Sequence, residues 1–370
     1  MEKCSCPADK PIQLKVLWKT EPPPAWSCGT LQTPAGRVFQ ISTEWSREDR
    51  WGQIKSRISA FRMKYSVKPG LYAVNNPGEI SPVLVSANYK LSFDVLRREL
   101  TGIDAWVLVL DTKGINVWCA AGKGTFGTVE LIRAIRESHL DRIVNHKKVI
   151  LPQLGAPGVN AADVRKETGF RVSFGPVRAK DIPAYISAGY SATKEMRTVR
   201  FTVLDRLVLT PMEINPAMKK YPLFALIILL IMGLQPTGIL FRDLWLGGAP
   251  FLLLGFSAVM TGAFFTPVML PMIPFRSFAV KGWIAGTIAM LILASPFDVL
   301  RQNTALLLAA YLFFPLASSY IALQFTGSTT FTNMSGVRKE LKIGVPIYLI
   351  GTGISLALVI LFKLKEWGVV

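Results

Sequence analysis

The chain runs to 370 residues, 51% of them hydrophobic and 18% charged, with a mean hydropathy of +0.36; an ordinary soluble domain carries roughly 25% charged residues. That balance excludes a disordered chain, a coiled coil and a small disulfide scaffold. The net charge of +18 is unevenly spread: residues 1–221 hold 33 Lys and Arg against 20 Asp and Glu, residues 222–370 only 9 against 4, so two architectures meet near Tyr221, the second with uncharged runs of membrane length.

Residues 1–35 are Pro-rich and expected to be irregular, and Met1–Thr20 lacks the apolar core of a secretory signal. Four cysteines, Cys4, Cys6, Cys28 and Cys119, do not make a disulfide framework in a chain this long and fit a reducing compartment. Residues 36–205 alternate short apolar strands with amphipathic helices. Strands are expected at Arg37–Ser42, Leu71–Val74, Pro82–Ser86, Ala105–Asp111, Lys148–Leu151, Arg171–Phe174 and Thr198–Val203. Helices are expected at Glu48–Lys64, Phe93–Thr101, Thr128–Ser138 and Ala161–Thr168, with Thr128 as an N-cap and Glu130 in the first turn. Such alternation predicts an α/β domain with a mostly parallel, doubly wound, Rossmann-like sheet, whose ligand lies beyond the carboxyl ends of the strands.

Residues 206–221 read as a linker, and 222–370 as an all-α transmembrane domain of about five helices, at 222–241, 245–268, 279–295, 304–325 and 344–362. Seven cations flank one side (Lys219, Lys220, Arg276, Lys281, Arg338, Lys339, Lys342) and four the other (Arg242, Arg301, Lys363, Lys365). This bias predicts a multi-pass protein of the cell (inner) membrane, with residues 1–221 cytoplasmic and the C-terminus outside. No ionisable residue falls near the centre of a span, so the sequence supports an anchor rather than an ion-coupled transporter. Met260, Met269 and Met272 have the soft thioethers of metal ligands, but packing filler is the favoured reading. The basic excess comes with no nucleic-acid recognition motif, and no nucleic-acid partner is expected.

The run Ala105–Leu110 is continuously apolar, as in a central strand buried on both faces. It leads through Asp111-Thr112-Lys113-Gly114-Ile115 into a segment of small residues around Cys119. Gly122, Gly124 and Gly127 spell G-x-G-x-x-G, but the first Gly comes eleven residues after Asp111, whereas a dinucleotide fingerprint follows its strand directly. A Walker A loop fails because Gly124 follows Lys123 where Ser or Thr is required. A nucleophilic Cys119 would need His139 or His146 beside it. Without such a partner Cys119 reads as a small buried apolar side chain.

The segment Asn116-Val117-Trp118-Cys119-Ala120-Ala121-Gly122-Lys123 closely resembles the cap-helix motif of the membrane-bound corrinoid protein of microbial mercury methylation. Ser86-Ala87-Asn88-Tyr89-Lys90-Leu91-Ser92 and Pro152-Gln153-Leu154-Gly155-Ala156-Pro157-Gly158-Val159 resemble loops of the large subunit of the corrinoid iron–sulfur protein of acetyl-CoA synthesis, which is not expected to have a Cys at position 119. The resemblance covers residues 36–205 in detail and the five-span tail in outline. It implies a base-off cobalt corrinoid of the cobalamin type over the sheet edge, with the Cys119 thiolate as lower axial cobalt ligand and catalytic residue. The cofactor-binding set it implies is Asn88, Thr112, Gly114, Asn116, Val117, Trp118, Cys119, Ala120, Ala121, Gly122, Lys123, Gly124, Thr125, Phe126, Gln153, Leu154, Gly155, Ala156, Pro157 and Gly158. Small residues at Ala120, Ala121 and Gly122 would let a flat macrocycle approach the backbone. The cobalamin signature D-x-H-x-x-G is absent around His139 and His146.

The implied activity is methyl transfer from methyl-cobalt(III) corrinoid to mercury(II), giving methylmercury. The implied partners are a ferredoxin-like protein with two 4Fe–4S clusters, a methyl-donor protein or methyltetrahydrofolate, and the lipid membrane. A basic cytoplasmic half suits an acidic redox partner and anionic lipid equally. Cys4 and Cys6 form a soft pair able to pass mercury onward, or are incidental. Alternatives are a corrinoid methyl carrier of one-carbon (acetyl-CoA pathway) metabolism and a corrinoid-binding membrane transporter or sensor.

Overall fold

A computed structural model of the protein describes residues 23–369 apart from Thr330 and Asn333. Cys4, Cys6 and most of the segment expected to be irregular lie outside the described residues. The chain divides into two compact units, one built from residues up to Ser56 and Ala60–Val199, the other from Arg57–Ser59 and the residues from Arg200 onward.

The first unit is a seven-stranded sheet between two helical layers. Its strands are β1 (Ser27–Thr33), β2 (Gly36–Ile41), β3 (Gly70–Val74), β4 (Val83–Ala87), β5 (Ala105–Leu110), β6 (Lys148–Leu151) and β7 (Arg171–Phe174), in spatial order β1-β2-β3-β5-β4-β6-β7. The block β5-β4-β6-β7 is parallel, whereas β3 runs antiparallel to β5 and β1 to β2. The sheet is therefore mixed, with a parallel half. All six residues of β5 are buried. Trp106, Leu108 and Leu110 pack on one face and Ala105, Val107 and Val109 on the other, which is why this strand carries no polar alternation. Helices α1 (Arg47–Ile58, of which Arg57 and Ile58 count with the second unit), α2 (Lys90–Arg98), α3 (Val117–Lys123), α4 (Thr128–Glu137), α5 (Ala161–Thr168) and α6 (Ile182–Ser187) complete the unit. The α3, α4 and α5 side contributes Ala121, Leu131, Ile135 and Val164 to one core, and the α2 and α6 side Phe93, Leu96, Ile182 and Tyr185 to the other.

Three sequence expectations are corrected. Residues 27–33, inside the stretch expected to be irregular, form β1. It turns tightly into β2 through Gly36, whose φ of +122° a side chain would resist. Thr198–Val203 is not a strand. Thr202 and Asp205 form a reciprocal capping box that opens a helix, α7 (Val203–Leu207), and this local pairing overrides the alternation of Val199, Phe201 and Val203. Gly127, not Thr128, is the N-cap of α4; the Thr128 hydroxyl instead accepts from Asn160 N at 2.8 Å.

The second unit holds α8 (Pro211–Gly233), α9 (Phe241–Met260), α10 (Thr266–Val268), α11 (Phe278–Ala294), α12 (Asp298–Gln302), α13 (Thr304–Gln324) and α14 (Met334–Glu366). Four helical stretches are long and apolar enough to cross a membrane: Val203–Gly233, Phe241–Val268, Thr304–Gly327 and Ser335–Glu366. The third expected span is a shorter apolar helix, the 17-residue α11. A π-helical turn at Thr261–Phe265 joins α9 to α10. The carbonyl end of that stretch is closed by two buried cations, Arg206 donating to Val268 O at 3.1 Å and Lys281 to Leu270 O. Small residues bring α11 against α13. A Cβ on Gly282 would lie 2.5 Å from that of Ala322, and one on Gly286 2.7 Å from that of Ser318. Ser318 donates to Gly282 O at 2.9 Å and Ser319 to Ala279 O at 2.7 Å, the contacts by which helices pack where burial from water gives no drive. Met269 and Met272 are exposed, and among the described residues no group of three or more His, Cys, Asp or Glu could hold a metal ion.

Candidate functional site

The carboxyl ends of β4, β5 and β6 release their loops at one edge of the parallel block, and most of the expected site residues lie on them. Asn88 follows β4 and is buried. Its N–H donates to Leu110 O at 3.1 Å, closing the ends of β4 and β5 together. Its side-chain oxygen accepts from Thr112 N at 3.1 Å, Thr112 Oγ1 at 2.8 Å and Gly114 N at 2.9 Å. Asn88 therefore shapes the β5 loop from a neighbouring strand, and Thr112 passes the bonding on to Ile115 O at 2.6 Å. Lys113 and Gly114 both have positive φ, 59° and 71°, which makes the turn that sends the chain into α3. The fully buried Thr112 and half-buried Gly114 thus support the loop.

Asn116 caps α3, its Oδ1 accepting from Cys119 N at 2.9 Å; such a cap contributes about 1 kcal/mol. Gly124 ends the helix in the left-handed conformation at φ 79°, and Gly127 begins α4. The G-x-G-x-x-G spelling is thus a helix stop followed by a helix start, not a phosphate loop. Within α3, Val117, Trp118 and Cys119 are half-buried, Ala120 and Ala121 are buried in the core, and Gly122 and Lys123 are exposed. A Cβ on Gly122 would meet nothing within 4 Å. Thr125 accompanies the turn, its Oγ1 reaching Ala120 O at 3.4 Å, and Phe126 is fully buried.

The β6 loop, Gln153–Gly158, forms a 3₁₀ turn pressed against α3. A Cβ on Gly155 would lie 2.5 Å from the Phe126 ring, and one on Gly158 2.2 Å from Phe126 O and 3.2 Å from Ala121 Cα. The small size of Ala121, Gly155 and Gly158 is thus set by protein contacts, whereas Gly122 has open space. Leu154 and Ala156 are half-buried and Pro157 is exposed. Gln153 Oε1 is buried without a hydrogen-bond partner, an arrangement that carries a desolvation cost unless a ligand supplies a donor.

Two supporting residues were not among the candidates. Glu130, in the first turn of α4, accepts from Asp111 N at 2.7 Å and ties that helix to the end of β5. Asp111 anchors the turn by accepting from Lys113 N at 3.1 Å. Burial raises the Asp111 carboxyl, but the Lys113 ammonium and N–H outweigh it and hold the group below its ordinary value. An acidic residue straight after an apolar strand was the available signal. The two histidines sit elsewhere. His146 bonds Ser81 O at 2.9 Å, ahead of β4 and β6 and so at the amino edge of the sheet, and His139 follows α4. Neither joins Cys119 in a nucleophile–base pair.

Residues 60–186 match a family described as the CO dehydrogenase/acetyl-CoA synthase delta subunit. The acetyl-CoA decarbonylase/synthase complex subunit gamma of Archaeoglobus fulgidus is 32% identical over 131 residues, covering 35% of this chain and 27% of that protein. The Methanopyrus kandleri subunit is 32% identical over 127 residues, 34% of this chain and 27% of the relative. That of Methanosarcina acetivorans is 31% identical over 133 residues, 35% and 28%. The chain thus spans little more than a quarter of the length of these curated relatives, and its long apolar helices lie outside the family-matched residues.

Proposed function

We propose that the first unit holds a cobalt corrinoid over the carboxyl edge of its parallel block and that the chain transfers a methyl group to mercury(II), forming methylmercury. The observation that carries this reading is Cys119, half-buried in the first turn of a capped helix at that edge, with its backbone N–H held by Asn116. Two features fit a flat amide-fringed macrocycle: Gly122 is exposed and a Cβ there would meet nothing within 4 Å, and Gln153 Oε1 is a buried acceptor without a partner among the described residues. The absence of histidine from this edge suits a base-off cofactor with a thiolate beneath it.

When bound, the corrinoid supplies a cobalt centre that accepts and releases a methyl group. Cys119 would be the residue that ligates the metal, its sulfur donating electron density as in thiolate-ligated haem. Asn116 holds that residue through its backbone N–H, and the Asn88 network holds the loop that leads into it. Mercury(II) is an electrophile and takes the methyl group with its bonding electron pair, a polarity that an electron-rich lower ligand favours. A ferredoxin-like partner with two 4Fe–4S clusters is the proposed source of the low-potential electrons that such a cofactor would need. A methyl-donor protein or methyltetrahydrofolate is the proposed methyl source. The apolar helices anchor the unit to the cell membrane, with the site on the cytoplasmic side.

The likeness to acetyl-CoA decarbonylase/synthase subunits supports methyl-group chemistry of one-carbon metabolism more directly than it supports mercury as acceptor. It favours a second reading, a corrinoid methyl carrier. One assay separates the two: full-length protein reconstituted with corrinoid, given a methyl donor, a reductant and mercury(II), beside Cys119→Ala and Cys28→Ala. The mercury reading expects methylmercury from wild type and Cys28→Ala, with most of it lost in Cys119→Ala. A wild-type rate in Cys119→Ala would refute the thiolate role, and methyl uptake without methylmercury would favour the carrier.

A further inference from the structure

Helix α1 is inside out. It buries Asp49, Gly52 and Ser56 against its own unit and turns Trp51, Ile54 and Ile58 outward, 62%, 44% and 42% exposed. The two rows sit on opposite faces, each with helical spacing. The buried row has firm local reasons: Asp49 pairs with Lys90 at 2.7 Å and with Arg97 at 2.7 Å, and a Cβ on Gly52 would collide with Tyr65 Oη at 2.2 Å. The outward row has none. The 3₁₀ turn Ala60–Met63 extends it, ending at Met63, 72% exposed. An outward apolar row of this size marks an interaction surface.

The charges say what kind. Arg47, Arg50 and Lys64 stand around this segment, against Glu48 and the internally neutralised Asp49. A helix with Trp and Ile on one face and cations around it matches the boundary between anionic headgroups and acyl chains. We propose that this face rests on the anionic surface of a lipid bilayer, which fixes the first unit against the membrane and brings one rim of the candidate site, where Met63 O lies 4.0 Å from a Cβ built on Gly114, close to the lipid. The inference rests on the reading that the apolar helices span that bilayer.

The test uses the full chain with Cys4, Cys6, Cys28 and Cys119 replaced by Ser, reconstituted into phosphatidylcholine bilayers with and without phosphatidylglycerol. One spin label is placed per variant, at Ile54→Cys, at Val129→Cys on the aqueous surface of α4, or at Leu349→Cys within α14; Val129 and Leu349 are both well exposed. Relaxation by dissolved oxygen against a water-soluble nickel chelate reports depth. The expected result is bilayer depth for Ile54 and Leu349 and aqueous exposure for Val129. The Ile54 signal should weaken without phosphatidylglycerol and in Arg47→Gln/Arg50→Gln. A label at Ile54 as aqueous as Val129, with Leu349 in the bilayer, overturns the docking and leaves the spans standing. A label at Ile54 shielded from both reagents means a protein covers the face and also overturns it. Leu349 in water overturns the membrane reading and the docking with it.

Discussion

Asn88 shows how much of the site one side chain determines. Its oxygen satisfies three donors on the β5 loop, two of them on the fully buried Thr112. Asn88→Ala leaves the Thr112 and Gly114 N–H groups without this acceptor, while the Thr112 hydroxyl keeps Ile115 O, at about 1–3 kcal/mol for such a group. Expected is a matching fall in denaturant midpoint together with weaker corrinoid retention. Undiminished stability would mean that the loop holds its shape without Asn88. The second residue-scale case is Asp49. Burial raises its carboxyl, but bonds from Lys90 and Ser46 N with the nearby Arg97 outweigh that and hold it at about 2, below the ordinary 3.8. A carboxyl depressed in the folded state stabilises above its unfolded value, and the contribution is lost as pH falls from about 4 through 2. Wild type should lose stability across that window, and Asp49→Asn should start less stable at neutral pH and show a flatter acid profile; parallel profiles would contradict the assignment. The sequence showed Asn88 and Asp49 only as single letters. Their partners lie 24 and 41 residues away, and no local periodicity reports such pairing.

At the scale of elements, reading went well wherever burial dictated pattern. The strand Ala105–Leu110 and the helix that begins at Thr128 were legible because their apolar spacing follows directly from the faces they bury. The hairpin strand β1 was not, since it is an edge strand with alternate residues exposed and few large apolar side chains. Thr198–Val203 misled because a capping box competes with alternation and only the fold decides between them. The contact between α3 and the β6 loop gives a paired prediction. Gly158→Ala would drive its Cβ into Phe126 O and Ala121 Cα, backbone atoms that cannot step aside, costing about 1–3 kcal/mol. Gly122→Ala meets open space inside α3 and should keep or slightly raise thermal stability. If Gly122 faces the corrinoid, Gly122→Leu should lower corrinoid affinity while the melting temperature holds. A corrinoid affinity unaffected by Leu at 122 would place the ligand elsewhere.

At the scale of the whole molecule, the chain divides between Val199 and Arg200 into a mixed α/β sheet unit and a set of apolar helices, whereas the charge split near Tyr221 falls inside α8 and the expected linker 206–221 lies largely within α7 and α8. The sequence motif and the folded edge meet at Cys119. Its loop neighbours pack for reasons internal to the protein, whereas Cys119, Gly122 and Gln153 are the residues the proposed function assigns to the ligand. The most direct test of that account is the absorption spectrum of anaerobically purified, corrinoid-reconstituted protein, wild type beside Cys119→Ala. Asn116 grips residue 119 through its backbone, so the variant should keep α3 and retain the corrinoid. The account predicts that the cobalt bands shift between the two proteins at equal cofactor occupancy. Superimposable spectra at equal occupancy would contradict it.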